Sequence, residues 1–235
     1  MKAILTSIIL TVLLAGSVFS QTKYYTTSGG EMIFSFASID DNGRSESAVL
    51  RWSPWFNLQS MFNADFNEHV GMFVGFSIKN IGFIYDQYRV YSDPEDLGSY
   101  TTVKKKFRSY NAGIPVGFKI GKLDKLFVYG GYEVELPFNY KEKTFVGDKK
   151  EEKFNVWFSK RQEQFQHGFL LGIQFPYGAN LKFKYYLSNF HNMDYVDGNG
   201  LKPYAGLKSN VFYISFNADL FKPDNKNSDK GKYYS

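Results

Sequence analysis

Residues 165–175 read Phe-Gln-His-Gly-Phe-Leu-Leu-Gly-Ile-Gln-Phe, and the same alternation returns through most of the chain. Phe165, Phe169, Leu171, Ile173 and Phe175 share one face; Gln166, Gly168, Gly172 and Gln174 mostly fill the other. Successive side chains of a strand point to opposite sides, so this period of two describes a strand lying between an apolar and a polar medium. A chain made mostly of such strands must form a sheet, and a sheet that meets lipid must close on itself, because an open edge leaves backbone groups unpaired.

Eight strands are predicted, near 31–39, 48–66, 71–85, 107–121, 125–145, 165–175, 180–190 and 209–221. The first alternates weakly. The fourth is clean: Tyr110, Ala112, Ile114, Val116, Phe118 and Ile120 oppose Ser109, Asn111, Gly113, Gly117, Lys119 and Gly121. Connections alternate in length. Short turns follow strands two, four and six (67–70, 122–124, 176–179), and longer polar loops follow one, three, five and seven (40–47, 89–104, 146–163, 191–208). Short turns on one side and long loops on the other are the habit of outer-membrane barrels. The expected fold is therefore all-β: an eight-stranded antiparallel up-and-down transmembrane β-barrel with its N-terminus in the periplasm.

Residues 1–20 read as an export signal, with Lys2 before a mostly apolar Ile4–Leu14 and compact residues at Val18 and Ser20, so cleavage is expected after Ser20. The barrel domain then runs over 21–221. The charged segment 222–235 reads as a disordered periplasmic tail. Beyond the signal no apolar run reaches transmembrane-helix length. A mean hydropathy of −0.34 does not exclude a membrane barrel, because alternation hides the apolar half. Cysteine is absent, which excludes disulfides, thiol chemistry and a lipoprotein anchor. The net charge of +5 is small and interspersed with acids, as in Asp148-Lys149-Lys150-Glu151-Glu152-Lys153, so nucleic-acid binding is not expected.

A secreted lipocalin-like barrel has the same strand number with the apolar face inward. The glycines argue against it. Gly113, Gly117, Gly121, Gly131, Gly168 and Gly172 lie on the polar face, where they weaken a solvated strand but leave room in a narrow lumen for long polar side chains.

Three stretches resemble a family: Gly29-Gly30-Glu31-Met32-Ile33-Phe34-Ser35-Phe36, Tyr129-Gly130-Gly131-Tyr132-Glu133-Val134-Glu135-Leu136-Pro137-Phe138, and the last strand Asn210 to Phe221. The chain resembles the small porin-like, OmpX/OmpA-type outer-membrane barrels of Gram-negative bacteria, particularly the aromatic-rich kind common in Bacteroidota. Barrels of that type often finish on an aromatic residue used in assembly. Phe221 matches, although fourteen residues follow it.

Candidate sites follow from facing. Glu133, Glu135, Lys119, Lys182 and Lys184 project to the lumen, joined by Asp219, and a structural charge network is expected because buried charges need partners. Such a network would plug the barrel. Lys104, Lys105, Lys106 and Arg108 form the densest basic run and are candidates for contact with lipopolysaccharide phosphates at the outer rim. Phe154, Trp157 and Phe158 are apolar groups within an outer loop and are candidates for partner contact. His69, His167 and His191 have no metal-ligand spacing. Ser188-Asn189-Phe190-His191 is the only local hint of a nucleophile and lacks an acid partner. The expectation is a non-enzymatic envelope protein without metal or cofactor. It would meet outer-membrane lipid and lipopolysaccharide, and envelope proteins through its loops, as an accessory subunit of an envelope complex. The alternatives are a transporter of small or hydrophobic solutes and a lipid-modifying enzyme.

Overall fold

The structure, a computed structural model, describes residues 22–91 and 100–221; the side chains of Tyr91 and of 219–221 fall outside that description. The export signal and the segment 222–235 also lie outside the described residues.

Eleven strands follow in order: β1 (Lys23–Asp41), β2 (Arg44–Ser47), β3 (Arg51–Ser53), β4 (Leu58–Asp65), β5 (Val70–Tyr91), β6 (Tyr100–Lys122), β7 (Leu126–Val146), β8 (Lys149–Trp157), β9 (Gln166–Gln174), β10 (Ala179–Tyr186) and β11 (Leu207–Phe221). Eight of them form a ring in the order β11-β10-β9-β7-β6-β5-β4-β1, and β1 pairs with β11 to close it. Every pairing is antiparallel. The fold is an eight-stranded up-and-down barrel. β3 and then β2 continue the β4 pairing along β1, and β8 pairs with β7 beyond the stretch paired with β9.

Three differences from the sequence reading have local causes. β1 starts at Lys23 rather than near 31 and pairs with β4 from its first residue. The stretch Tyr24-Tyr25-Thr26-Thr27 lacks apolar alternation but consists of strong strand formers. The expected loop 40–47 contains a hairpin turned by Asn42 (φ 54°) and Gly43 (φ 84°), an Asn-Gly pair that suits two left-handed positions. The Asp40 carboxylate accepts the Gly43 N–H at 2.7 Å. The expected loop 146–163 contains β8, joined to β7 through Gly147 (φ 58°) and Asp148.

Facing inverts along each long strand. On β6 the outward residues from Ile120 back to Tyr110 are apolar, with Ile114, Phe118 and Ile120 each at least 60% exposed, while Ser109, Asn111 and Lys119 are buried inside. Beyond Tyr110 the outward residues become Arg108, Lys106 and Lys104, and the inward ones include Phe107 and Val103. β1 follows the same course. Outward Met32, Phe34 and Phe36 give way to Ser38 and Asp40, while Ala37 and Ile39 turn in. On β11, outward Phe216, Ile214 and Phe212 give way to Asn210, and Val211 and Leu207 face inward. One half of the barrel wears an apolar belt around polar contents. The other half has a polar coat around an apolar core that includes Ile39, Ile81, Phe83, Phe107, Tyr140, Phe190 and Val211.

At the boundary an aromatic row runs round the outside. Phe56 meets Tyr110 edge-on at 6.2 Å, Tyr110 stacks on Phe138 at 6.1 Å, and Phe138 stacks on Trp157 at 6.0 Å. Aromatic side chains with one apolar and one wet side favour such an edge.

Candidate functional site

The most charged part of the interior is a layer inside the apolar belt. Glu133 and Glu135 rise two residues apart on β7, so both face the lumen. Lys184 on β10 reaches across to both, at 2.6 Å from Glu133 and 2.5 Å from Glu135. Lys79 on β5 pairs with Glu133 and lies 3.4 Å from Glu135. The remaining lone pairs are filled by neighbours. Ser77 donates to Glu133 at 2.5 Å, Asn111 to Glu135 at 2.7 Å, and the Tyr186 hydroxyl lies 2.9 Å from both Glu135 oxygens. Space for this comes from Gly113, where a Cβ would stand 2.6 Å from Glu133 Oε1 and 2.7 Å from Ser77 Oγ.

Two further pairs lie toward the short-turn end. Lys182 bonds Glu31, and also Gln59 at 2.9 Å. Lys119 bonds Asp65 at 2.5 Å and Asn63 at 3.0 Å. Four lysines (79, 119, 182, 184) therefore face four carboxylates (31, 65, 133, 135), and this set is neutral. Below them a vestibule opens at the short-turn end, lined by Tyr25, Met61, Phe73, Phe127 and Tyr129 among others. Lys182 and Lys119 line it too, but none of Lys79, Glu133 and Lys184 does.

Of the residues expected in a lumenal network, Glu133, Glu135 and Lys184 meet in one layer, while Lys119 and Lys182 each hold a separate partner. Asp219 is opposite Gly29 in the ladder, and its side chain lies outside the described residues. The sequence reading did not include Lys79, Asp65 and Glu31 in the network. Alternation put Lys79 and Asp65 on the polar face. Their partners depend on the stagger between non-adjacent strands, which one strand's pattern does not carry. Glu31 sits in the weakly alternating first strand.

The basic run divides by its own period of two. Lys105 faces inward and pairs with Glu142 at 2.6 Å, so it is not a rim residue, while Lys104, Lys106 and Arg108 face out. The apolar loop trio divides too. Phe154 faces in, against the Tyr140 ring at 5.8 Å and under the Arg161 guanidinium at 4.5 Å. It is thus an interior residue rather than a partner contact. Trp157 and Phe158 are exposed, and Trp157 belongs to the aromatic row.

The outer core contains one buried polar cluster. His191 stacks on Tyr204 at 4.3 Å and meets Phe107 edge-on at 4.5 Å. Its Nε2 lies 3.3 Å from the Tyr140 hydroxyl and its Nδ1 3.4 Å from Ser209 Oγ. Tyr140 and Tyr204 both donate to Glu142 at 2.8 Å. Burial opposes ionisation of Glu142, but the Lys105 ammonium and these donors hold its pKa below the ordinary value. Burial pushes His191 down to about 3, so it is neutral across the physiological range. Ser188 is not aimed at this imidazole: its Oγ accepts the His167 N–H at 3.1 Å. Ser209 is fully buried, and a buried serine beside a neutral histidine is a packing arrangement rather than an exposed nucleophile. Among the described residues no group of three side chains is placed to hold a metal ion.

This depression makes stability pH-dependent. The unfolded histidine takes up a proton near pH 6.5 and the folded one only near 3, so the stability it contributes is complete above about pH 6.5 and is lost as pH falls through that window. Urea midpoints should fall between pH 7 and 5.5 in the wild type, and less in His191→Phe, which keeps a stacked ring without the titration. Equal slopes would remove His191 as the cause.

No family model matches the chain, and no curated protein matches it. Solved structures do. The attachment invasion locus protein Ail of Yersinia pestis, in complex with the heparin analogue sucrose octasulfate, is 10% identical over 83% of this chain and 97% of its own, with a TM-score of 0.37. The structural neighbours of this chain are small outer-membrane β-barrel proteins. Neisserial surface protein A is 10% identical over 85% and 99%, with a TM-score of 0.35. The outer membrane protein OprG of Pseudomonas aeruginosa is 13% identical over 83% and 94%, with a TM-score of 0.34. The barrel described above stands on this chain's own strand ring.

Proposed function

We propose that the chain is an outer-membrane β-barrel with a sealed lumen that serves the envelope as a structural or interaction protein, without catalysis. The inversion of facing within single strands carries this reading. From Tyr110 to Ile120, β6 is apolar outside and polar inside, a length that fits the 9–11 residues a tilted strand needs to cross a hydrocarbon core. Past Tyr110 the same strand is polar outside and apolar inside, as in a water-soluble barrel. A chain wholly in water has no reason to change over, whereas one that leaves lipid for water must. The short-turn end is then periplasmic, and the long-loop end faces out.

Fractionation tests this. The protein should sediment with outer-membrane markers and migrate differently on gels with and without boiling. Recovery as a soluble periplasmic protein with no heat-dependent shift would overturn it.

The Glu133–Glu135–Lys79–Lys184 layer supports the sealed state, because eight strands enclose little more than their own side chains and these four are fully buried. Pure protein in planar bilayers is expected to show no stable conductance. Reproducible steps from folded protein would favour the solute-transport alternative. Envelope partners would be met through the long-loop end, where Trp157 and Phe158 remain exposed.

A further inference from the structure

We propose that the outward face of β6, β7 and β8, just above the apolar belt, is a binding surface for the phosphorylated headgroups of the surrounding outer-leaflet lipid. The inference rests on the membrane reading above and names a ligand for that barrel's rim.

The ladder assembles this face from residues far apart in sequence. In one cross-strand row Lys106 is opposite Lys143, which is opposite Lys153. In the next row toward the belt Arg108 is opposite Lys141. In the row above, Lys104 and Lys150 flank Phe145 on either side. Directly opposed residues of an antiparallel pair point to the same side, so seven cations share one face and no acid stands among them in these rows. Of the acids of β7 and β8 at this height, Glu142 faces in to Lys105, Glu152 is opposite Thr144, out of the basic rows, and Glu151 pairs with Lys149. Among the described residues, none of the seven has a carboxylate within ion-pair distance, although ion pairs form in the lumen and in other loops. Arg108 lies over the Tyr110 ring at 4.7 Å, and its Nε has no hydrogen-bond partner. Lys141 and Lys143 each have a lowered pKa, first through partial burial and then through their cationic neighbours.

Like charges directly opposed across strands destabilise a sheet. A protein that keeps two such rows together, below a third in which Lys104 and Lys150 flank Phe145, gains most where a dense anionic layer meets them. The position says which layer. Tyr110 and Phe138 mark the upper edge of the belt, and the rows begin one step above it. At that height a barrel in lipid meets phosphate headgroups, and each lysine or arginine near such a surface strengthens binding. A soluble polyanion would need no such registration with the belt.

The test uses the full chain in neutral detergent micelles, with lipid retention read by native mass spectrometry. The probes are bisphosphorylated lipid A, the same lipid with both phosphates removed, and soluble inositol hexakisphosphate. The wild type should retain the bisphosphorylated lipid at least about tenfold better than the dephosphorylated one, and lose the preference in high salt. The triple variant Lys106→Gln, Lys143→Gln, Lys153→Gln should lose the preference, while arginine at the same three positions keeps it. Equal retention of both lipids by the wild type, or an unchanged preference in a glutamine variant that still shows its heat-dependent gel shift, overturns the proposal. Inositol hexakisphosphate that displaces the lipid at equal concentration also overturns it, because the face would then serve a soluble polyanion. If the glutamine variant does not fold, the salt dependence of the wild type decides: a preference that survives 1 M salt, where the Debye length is about 3 Å, overturns the proposal. Wild type that fractionates with outer membranes yet ignores the phosphates refutes the rim site alone; soluble periplasmic recovery refutes the membrane reading first.

Discussion

Glu133→Gln should destabilise the barrel by about 3–5 kcal/mol, the cost typical of removing one partner from a buried ion pair. Lys79 and Lys184 would then share the single charge of Glu135, in a layer where these side chains are fully buried. The Gln amide keeps the shape and the Ser77 hydrogen bond, so the loss reports charge rather than volume. Adding Lys79→Met to the same chain restores neutrality and should recover most of the loss, because replacing both partners of a buried pair is often close to neutral. Urea titration of folded protein in micelles, followed by the gel shift, measures all three. A single variant as stable as the wild type would show that the layer is hydrated and open.

Gly113→Val should be still more damaging. A Cβ there would stand 2.6 Å from Glu133 Oε1, 2.7 Å from Ser77 Oγ and 2.9 Å from Glu135 Cγ. Two methyls extend that overlap into the centre of the charged layer, where displaced carboxylates cannot find other donors. Overpacking alone costs about 1–3 kcal/mol, and here ion pairs break as well. The expected result is protein that does not acquire the folded gel mobility at all. Gly198→Ala, at an exposed loop position with open space around it and no left-handed backbone, is the control and should fold. If Gly113→Val folds with wild-type stability, the lumen is looser than its ion-pair distances imply.

Alternation made the barrel legible because lipid and lumen impose opposite demands on neighbouring residues. Strands such as 107–121 and 180–190 could be placed, and faced, from their own residues. Hairpin chemistry was legible too, but was outweighed by polarity. Asn42-Gly43 and Gly147-Asp148 are turn pairs that join strands, yet the charges around them read as loop. The same charges mark where a strand leaves lipid, since Lys104 to Arg108 changes facing without ending β6. What one chain's pattern does not carry is stagger. Glu133, Lys184 and Lys79 come from β7, β10 and β5, and they meet only because the strands tilt around the ring. The partner of Asp65 was hidden for the same reason, whereas Glu31 was hidden by the weak alternation of its own strand, and the rows of the basic face depend on the register of β6 and β8 against β7.

The pairing of β1 with β11 sets a condition on how this protein can be made. Ser35 meets Tyr213 and Asp41 meets Leu207, so the seam is formed by the first and last strands of the domain. These contacts have the greatest sequence separation in the fold and form slowly for that reason. Until β11 arrives, β1 and β10 each present an unpaired edge. Within hydrocarbon that is costly at every residue, and in water it invites pairing with other chains. The barrel is thus at its most vulnerable just before β11 pairs with β1. It needs an escort that keeps both edges occupied until the final strand is delivered, and closure then becomes a single cooperative event rather than strand-by-strand growth.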